Sequence, residues 1–339
     1  MISVDTAALD AAAEEDSFSG VVSVDVGGDR EFVRCYGDAH RGCRVPVVPD
    51  TQFGIASGSK LFTALAIMHL VEEGSLRREQ PVREILGEDL PLVDDAVTVE
   101  QLLTHTSGIG DYLDEDGEWE ADDYVLTLPV HTLTTAEAFL PLLDGFPQKF
   151  VPGDRFSYCN GGYMVLAVVI ERVTAETFHE VVRRAVFAPA ELAHTDYLRL
   201  DDLPGTAATG YLFDKGNRVN TLHLPVLGNG DGGAFTTAAD LHRFWRAFHA
   251  GAIVPPGVVA EMVRPRHDVP AERMRYGLGV WLHATAPATI IEGYDAGVSF
   301  RSTHMPASQI TVTVLGNSSE GAWPVIFAAA DMIDAQLAD

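Results

Sequence analysis

Ser57 and Lys60 stand three residues apart in the stretch FGIASGSKLF, where an apolar run begins. One reading is a helix start with a lysine that snorkels to solvent. The other is a nucleophile with its base. If Ser57 opens a helix, Lys60 follows one turn later on the same face, and its amine reaches the serine oxygen. An apolar surround disfavours the ammonium form, and the positive end of a helix adds to that. A neutral lysine can take a hydroxyl proton, which a lysine in water, with a pKa of about 10.4, almost never does. The serine backbone N–H then serves as one donor towards a developing oxyanion. A second stretch, FSYCNGGYMVLAVVIERV, sets Tyr158 and Asn160 two apart just before an apolar helix. Side chains two apart in an extended segment point the same way, so a phenol and an amide can enter one pocket together. A tyrosine packing its ring in the core is the plainer reading of the same residues.

The rest of the composition narrows the setting. The chain has 339 residues, 47% of them hydrophobic, and is long enough for one large domain or two intimately packed ones. No stretch reaches the roughly 20 apolar residues that span a bilayer, since LFTALAIMHLVEEG is interrupted by His69 and ends in carboxylates. The N-terminus, MISVDTAALDAAAEED, has neither a basic start nor an apolar core. A cytoplasmic location is therefore expected if Met1 is the natural start. Cys35, Cys43 and Cys159 are an odd number without C-x-x-C spacing, which speaks against a disulfide framework. Cys35 and Cys43 flank His40, but no second ligand pair lies nearby, so no metal is expected. A net charge of −26 repels phosphate backbones and disfavours nucleic acid as a partner. The densest acidic stretch, DYLDEDGEWEADDY (111–124), reads as a solvated loop that could also colour the mouth of a site.

The elements that must position these residues follow from patterning. Residues 5–15 read as a short helix, and FSGVVSVDVGGDREFVRCYGDA as two strands turning at Gly27-Gly28. Residues 61–73 are apolar nearly all round, as in a buried helix. TVEQLLTH carries a capping box, with Thr98 as N-cap and Gln101 at N3. GGYMVLAVVIERVT, TFHEVVRRAVFAPA and TTAADLHRFWRAFHAG are further helices, the last capped by Thr237. YGLGVWLHA, ATIIEGYDAGVSFRSTHMP and SQITVTVLGNSS read as strands joined by turns, before a closing helix, WPVIFAAADMIDAQLA. Strands thus lie at both ends and helices in the middle. This predicts an α+β fold: an antiparallel sheet built from both chain ends, flanked by helices, with a mostly helical inserted lobe. A single domain over 1–339 would have an α/β lobe of about 1–60 plus 235–339 and a helical lobe of about 61–234, with a cleft between them.

ASGSK and FSYCNGGY together resemble the serine β-lactamase and penicillin-binding-protein superfamily, in the branch of class C β-lactamases, D,D-peptidases, D-aminopeptidases and family VIII-type esterases. VTVEQLLTHTSGI (97–109), GDGGAFTTAADLHRFW (230–245) and YGLGVWL (276–282) are similar to segments of that branch, from about Phe18 to the C-terminus. The resemblance implies a β-lactamase/transpeptidase-like fold, with Ser57 as acylated nucleophile, Lys60 as its base and Tyr158 as second acid–base group. Asn160 would contact the lysine and the substrate, and His105 would hold its loop by hydrogen bonds. The third motif, normally Lys-Thr-Gly or His-x-Gly, falls on Ile291-Glu292-Gly293. Gly293 keeps the close backbone approach, and the N–H of Tyr294 is the candidate second oxyanion donor. The motif's cation is missing, and Glu292 would repel a substrate carboxylate unless Arg301 swings in. Cys159 reads as a small buried filler facing away from the site.

The expected activity is that of a serine hydrolase forming an acyl-enzyme on a small ester or amide without a free α-carboxylate, carboxylesterase-like and needing no cofactor. The alternatives are a D-amino-acid amidase or aminopeptidase, a D,D-carboxypeptidase or β-lactamase, and a non-catalytic binding or self-assembling protein of the same fold.

Overall fold

The computed structural model describes residues 4–115 and 125–338, with side chains as far as Ile333. Its centre is an eight-stranded antiparallel sheet. In spatial order the strands are Asp29–Tyr36, Gly20–Val26, Ile310–Gly316, Val298–Met305, Thr289–Asp295, Trp281–His283, Met274–Tyr276 and His267–Val269. The N-terminal hairpin is sewn to the last strand of the chain, Gly20 opposite Gly316 and Val26 opposite Ile310. Both ends of the sequence therefore build one sheet. The hairpin turns at Gly27-Gly28, where both φ angles are positive, a conformation that glycine adopts at no steric cost.

Each face of the sheet is covered. On one, Val22, Val24, Val312 and Val314 meet Leu9 and Ala13 of the helix Thr6–Glu15 and Ile326 and Ala329 of the helix Trp323–Ala338. On the other lies the helix Ala238–Ala250, its N-terminus capped by the Thr237 side chain. Between the two sheet-forming regions the regular structure is mainly helical, joined by irregular segments. Lys60–Glu72 is buried over ten of its thirteen residues, Lys60 included. It packs against Asn160–Thr174, buried without a break from Asn160 to Ile170. Phe62 meets Phe187 and Phe244 edge-on, both at 5.1 Å, and so ties the helical region to the sheet's covering helix. The Thr98–Gln101 capping box forms as the spacing predicts.

Two elements depart from the sequence reading. YGLGVWLHA is not one strand but a tight hairpin of Met274–Tyr276 and Trp281–His283. Gly279, at φ +78°, makes the turn, and a Cβ there would lie 2.3 Å from that of Ala64. The close pass against the buried helix dictates the glycine. TFHEVVRRAVFAPA is α-helical only over Phe178–Val182, widening to a π turn at Arg183–Phe187.

Under the helix Ala238–Ala250 the sheet carries a polar layer instead of an apolar one. Trp245 Nε1 donates to Ser302 Oγ (3.0 Å), His304 Nδ1 bonds Thr311 Oγ1 (2.8 Å) and His249 Nε2 bonds Thr289 Oγ1 (3.1 Å). The rings of His249 and His304 stack at 4.9 Å. Burial pushes His249 down to about 4 and His304 to about 3, the second helped by the neighbouring histidines. Both therefore fold as neutral rings. Unfolded, each takes up a proton near pH 6.5, so their share of the stability is complete above that pH and drains away as pH falls towards 4 and 3. Denaturant titrations should show a loss of several kcal/mol between pH 7 and pH 4, since a tenfold change in proton affinity is worth about 1.4 kcal/mol. His249→Phe, which keeps a ring in the stack, should flatten that slope; an unchanged slope would contradict the assignment.

Candidate active site

Ser57 lies in a 3₁₀ turn, Ala56–Ser59, and the α-helix begins at Lys60. This refines the expectation that Ser57 opens the helix. A 3₁₀ turn has three residues per turn, so positions 57 and 60 eclipse and their side chains meet directly. Ala56 sits at φ +43°, a strained conformation for a residue with a side chain. Two neighbours hold that shape: Ile55 N–H donates to Ala234 O (2.9 Å), and Ser59 Oγ bridges Ala56 O and Ala234 N–H. Gly232 lies against Ala56, with space for a Cβ only at 3.2 Å from its backbone.

Lys60 Nζ reaches Ser57 Oγ at 2.8 Å, Asn160 Oδ1 at 2.7 Å and the backbone oxygen of Asp231 at 2.7 Å. The last two can only accept. A neutral amine has two N–H groups, which these two acceptors use, leaving its lone pair for the serine hydroxyl. An ammonium would donate to all three. Burial lowers the Lys60 pKa, while Asp231, Glu115, Asp111 and Asp295 oppose that lowering. The lysine is 3% exposed.

Tyr158 and Asn160 do enter one site together. Tyr158 precedes the helix that Asn160 opens, and its side chain lines the same pocket as Ser57 and Lys60. Its ring stacks on Trp281 at 6.0 Å and lies 4.9 Å from Lys60 Nζ. Burial first, then Glu115, holds its phenol well above the ordinary value. Tyr158 is therefore protonated at neutral pH. Cys159, between them, faces away; its Sγ accepts the Gly162 N–H (3.3 Å) as the helix N-cap. His105 also falls where a loop-holding role would put it. Its Nδ1 accepts the Cys159 N–H (3.1 Å), its carbonyl accepts the Ser157 N–H (2.9 Å), and burial keeps the ring neutral.

Gly293 passes directly over the serine turn. A Cβ there would stand 2.1 Å from Ile55 O and 2.9 Å from Ser57 N. His283 N–H bonds Ala288 O, and pairing with Trp281–His283 ends at Ile290. By the alternation of an antiparallel strand, the backbone N–H groups of Glu292 and Tyr294 then lie on the edge that Val298–Met305 does not use. The Tyr294 hydroxyl donates to Glu320 (2.5 Å). Glu292 is not the unpaired charge that the sequence suggested. Arg301 stands directly opposite on the next strand and binds its carboxylate through Nε (2.7 Å) and Nη2 (2.5 Å). Both halves of the pair are mostly buried, so Arg301 is engaged and Glu292 is neutralised.

The serine opens into a cleft. One wall is apolar, with Leu113, Leu126, Leu224, Phe235 and Val298. The described residues lining it include three carboxylates, Glu115, Asp231 and Asp295, and no lysine or arginine. Burial, with Asp231 and Glu115 adding, pushes Asp295 up to about 7. Tyr112 donates its hydroxyl to the Asp231 carboxylate. Sequence reasoning singled out none of Asp111, Tyr112, Glu115, Asp231 and Asp295. The signal available was the acidic stretch 111–124, of which residues 116–124 lie outside the described ones. Within it, Asp111 is buried rather than solvated. Among the described residues no three His, Cys, Asp or Glu side chains converge as a metal site, and His40 Nδ1 accepts the Cys43 N–H (3.1 Å). No helix among them is long and apolar enough to cross a membrane.

Comparison with known proteins agrees with this geometry. The Beta-lactamase family model matches residues 6–337. Among solved structures, the penicillin binding protein from Bacillus halodurans superposes with a TM-score of 0.88 at 37% identity, over 97% of this chain and 99% of that one. Penicillin-binding protein 4* of Bacillus subtilis is 27% identical over 81% of this chain, and the D-aminopeptidase of Brucella anthropi 26% identical over 91%. The chain spans 61% and 58% of the length of those two relatives.

The Gly293 contact makes a direct test of the arrangement. Gly293→Ala should displace the serine turn and cost at least about a hundredfold in reaction of Ser57 with a fluorophosphonate, the scale of a 1 Å misplacement. Labelling at the unaltered rate would show that the strand does not constrain the serine.

Proposed function

The chain belongs to the Beta-lactamase family, and we propose that it is a serine hydrolase acting through an acyl-enzyme on an ester or amide. The observation that carries this reading is the Lys60 amine, 2.8 Å from Ser57 Oγ with acceptor-only partners at its other two contacts. Ser57 Oγ attacks the substrate carbonyl as its proton passes to Lys60. The N–H groups of Ser57 and Tyr294 receive the oxyanion. Tyr158, protonated and lining the same pocket as Ser57 and Lys60, hands a proton to the leaving group and recovers one from Lys60. Water then enters by the reverse path and releases the acid. No step calls for a metal.

The cleft favours neutral or cationic substrates. It presents three carboxylates, while the nearby Arg301 is bound to Glu292. An anionic acyl group therefore lacks a charge-assisted partner worth roughly 1.5–3 kcal/mol, or about ten- to hundredfold in kcat/KM. An ester suits this site best, because its leaving group departs with little protonation. The three carboxylates specifically favour one second reading, a D-amino-acid amide whose ammonium they would receive.

A screen of p-nitrophenyl esters, D-amino acid p-nitroanilides and nitrocefin decides among these. Short neutral esters or D-amino acid anilides should outrun nitrocefin by at least about tenfold. Efficient nitrocefin turnover that disappears in Arg301→Ala would overturn the charge argument. Ser57→Ala should lose on the order of 10⁴–10⁶ in kcat. The rate should rise with pH on a limb below the range of a free lysine, because the reacting form of Lys60 is the neutral one. A profile flat from acid to alkaline pH would exclude a lysine base.

A further inference from the structure

Two of the three contacts that aim the Lys60 amine depend on how other residues are held, and Asn160 is the more exposed to error. An asparagine amide presents an oxygen or an NH₂ group with nearly the same shape. Turned over, Asn160 would offer N–H groups to Lys60, and a neutral amine would spend its lone pair on them instead of on Ser57.

The segment 111–115 prevents that turn. Asp111 Oδ2 accepts the Asn160 N–H at 2.6 Å, and its Oδ1 accepts the Gly161 N–H at 2.8 Å. One buried carboxylate thus takes the first two backbone donors of the helix and fixes where Asn160 starts. Further along, Asn160 Nδ2 donates to Leu113 O at 3.0 Å and to Glu115 Oε1 at 2.7 Å. A carbonyl and a carboxylate oxygen accept, so a reversed amide would set oxygen against two oxygens. We propose that Asp111 and Glu115 are positioning residues for the hydrolysis proposed above, holding the Asn160 amide oxygen on Lys60 so that the lysine lone pair is left for Ser57. The inference rests on that hydrolase reading, but its geometry can be tested without turnover.

The sequence has only three lysines, Lys60, Lys149 and Lys215. Side-chain ¹⁵N labelling of lysine therefore gives a spectrum in which Lys60 can be assigned by elimination and titrated. Glu115 lies at the surface, so its variants should fold, and unfolding midpoints check that they do. Glu115→Gln keeps an acceptor oxygen and removes the charge; Glu115→Ala removes both. At low salt both should move the Lys60 titration to lower pH, because each removes an anion that favours the ammonium. The plateau kcat for p-nitrophenyl acetate should separate them. Glu115→Ala should lose about ten- to hundredfold with KM largely retained, and Glu115→Gln should recover most of that loss. Asp111→Asn, able to accept only one of the two N–H groups, should also lower kcat rather than raise KM. Equal plateau rates in the Ala and Gln variants would overturn the positioning role, and so would a Lys60 titration that moves in neither. If the titration moves as expected but wild-type Ser57 takes no fluorophosphonate label, the hydrolase reading fails while the holding geometry stands.

Discussion

Everything around Ser57 follows from burying one amine. An ammonium taken out of water needs acceptors for three protons; a neutral amine needs only two and keeps a lone pair. Lys60 finds two oxygens that can only accept, Asn160 Oδ1 and the Asp231 carbonyl, and one hydroxyl that can give. Three separate pieces of chain must converge within hydrogen-bond reach of a single nitrogen for this to work. The surrounding backbone adds steric conditions of its own. The segment carrying Asp231 presses Gly232 on Ala56, the strand above lays Gly293 over Ile55 and Ser57, and the hairpin behind puts Gly279 against Ala64. These glycines are where backbones must approach more closely than a side chain permits. The strained Ala56 meets Gly232, and Gly293 presses on its chain neighbours Ile55 and Ser57.

Much of this was legible in the sequence, and the reason is local. The Ser57–Lys60 spacing, the Thr98–Gln101 box and the Gly27-Gly28 turn each express a rule that acts over three or four residues. That one antiparallel sheet joins the two chain ends was legible too, because strand patterns crowd both of them. The hairpin inside YGLGVWLHA was not. Its apolar residues continue through the turn, and what breaks the strand is contact with a helix some 200 residues earlier in the chain.

The charges were the least legible part, for the same reason. Glu292 reads as a lone acid in its motif, but the residue that cancels it is nine positions on and directly across the ladder. Strand register decides that pairing. Asp111 read as a solvated loop residue and instead caps the helix that Asn160 opens, 49 residues away in sequence. Its burial lifts its carboxyl to about 6, while the N–H groups of Gly161, Leu113 and Asn160 resist that rise.

The acids nearest the site act on both titrating groups in the same sense. Glu115 raises Lys60 and Tyr158 alike; Asp231, Asp111 and Asp295 raise Lys60. All of them favour keeping protons in place. Only desolvation opposes this at the lysine, whereas at the tyrosine it acts with the acids, because burial disfavours whichever form is charged: ammonium in one case, phenolate in the other. Burial therefore pushes the two groups in opposite senses, lowering the amine and raising the phenol, while the acids raise both. Under the proposed reaction those are a base and an acid beside the same serine.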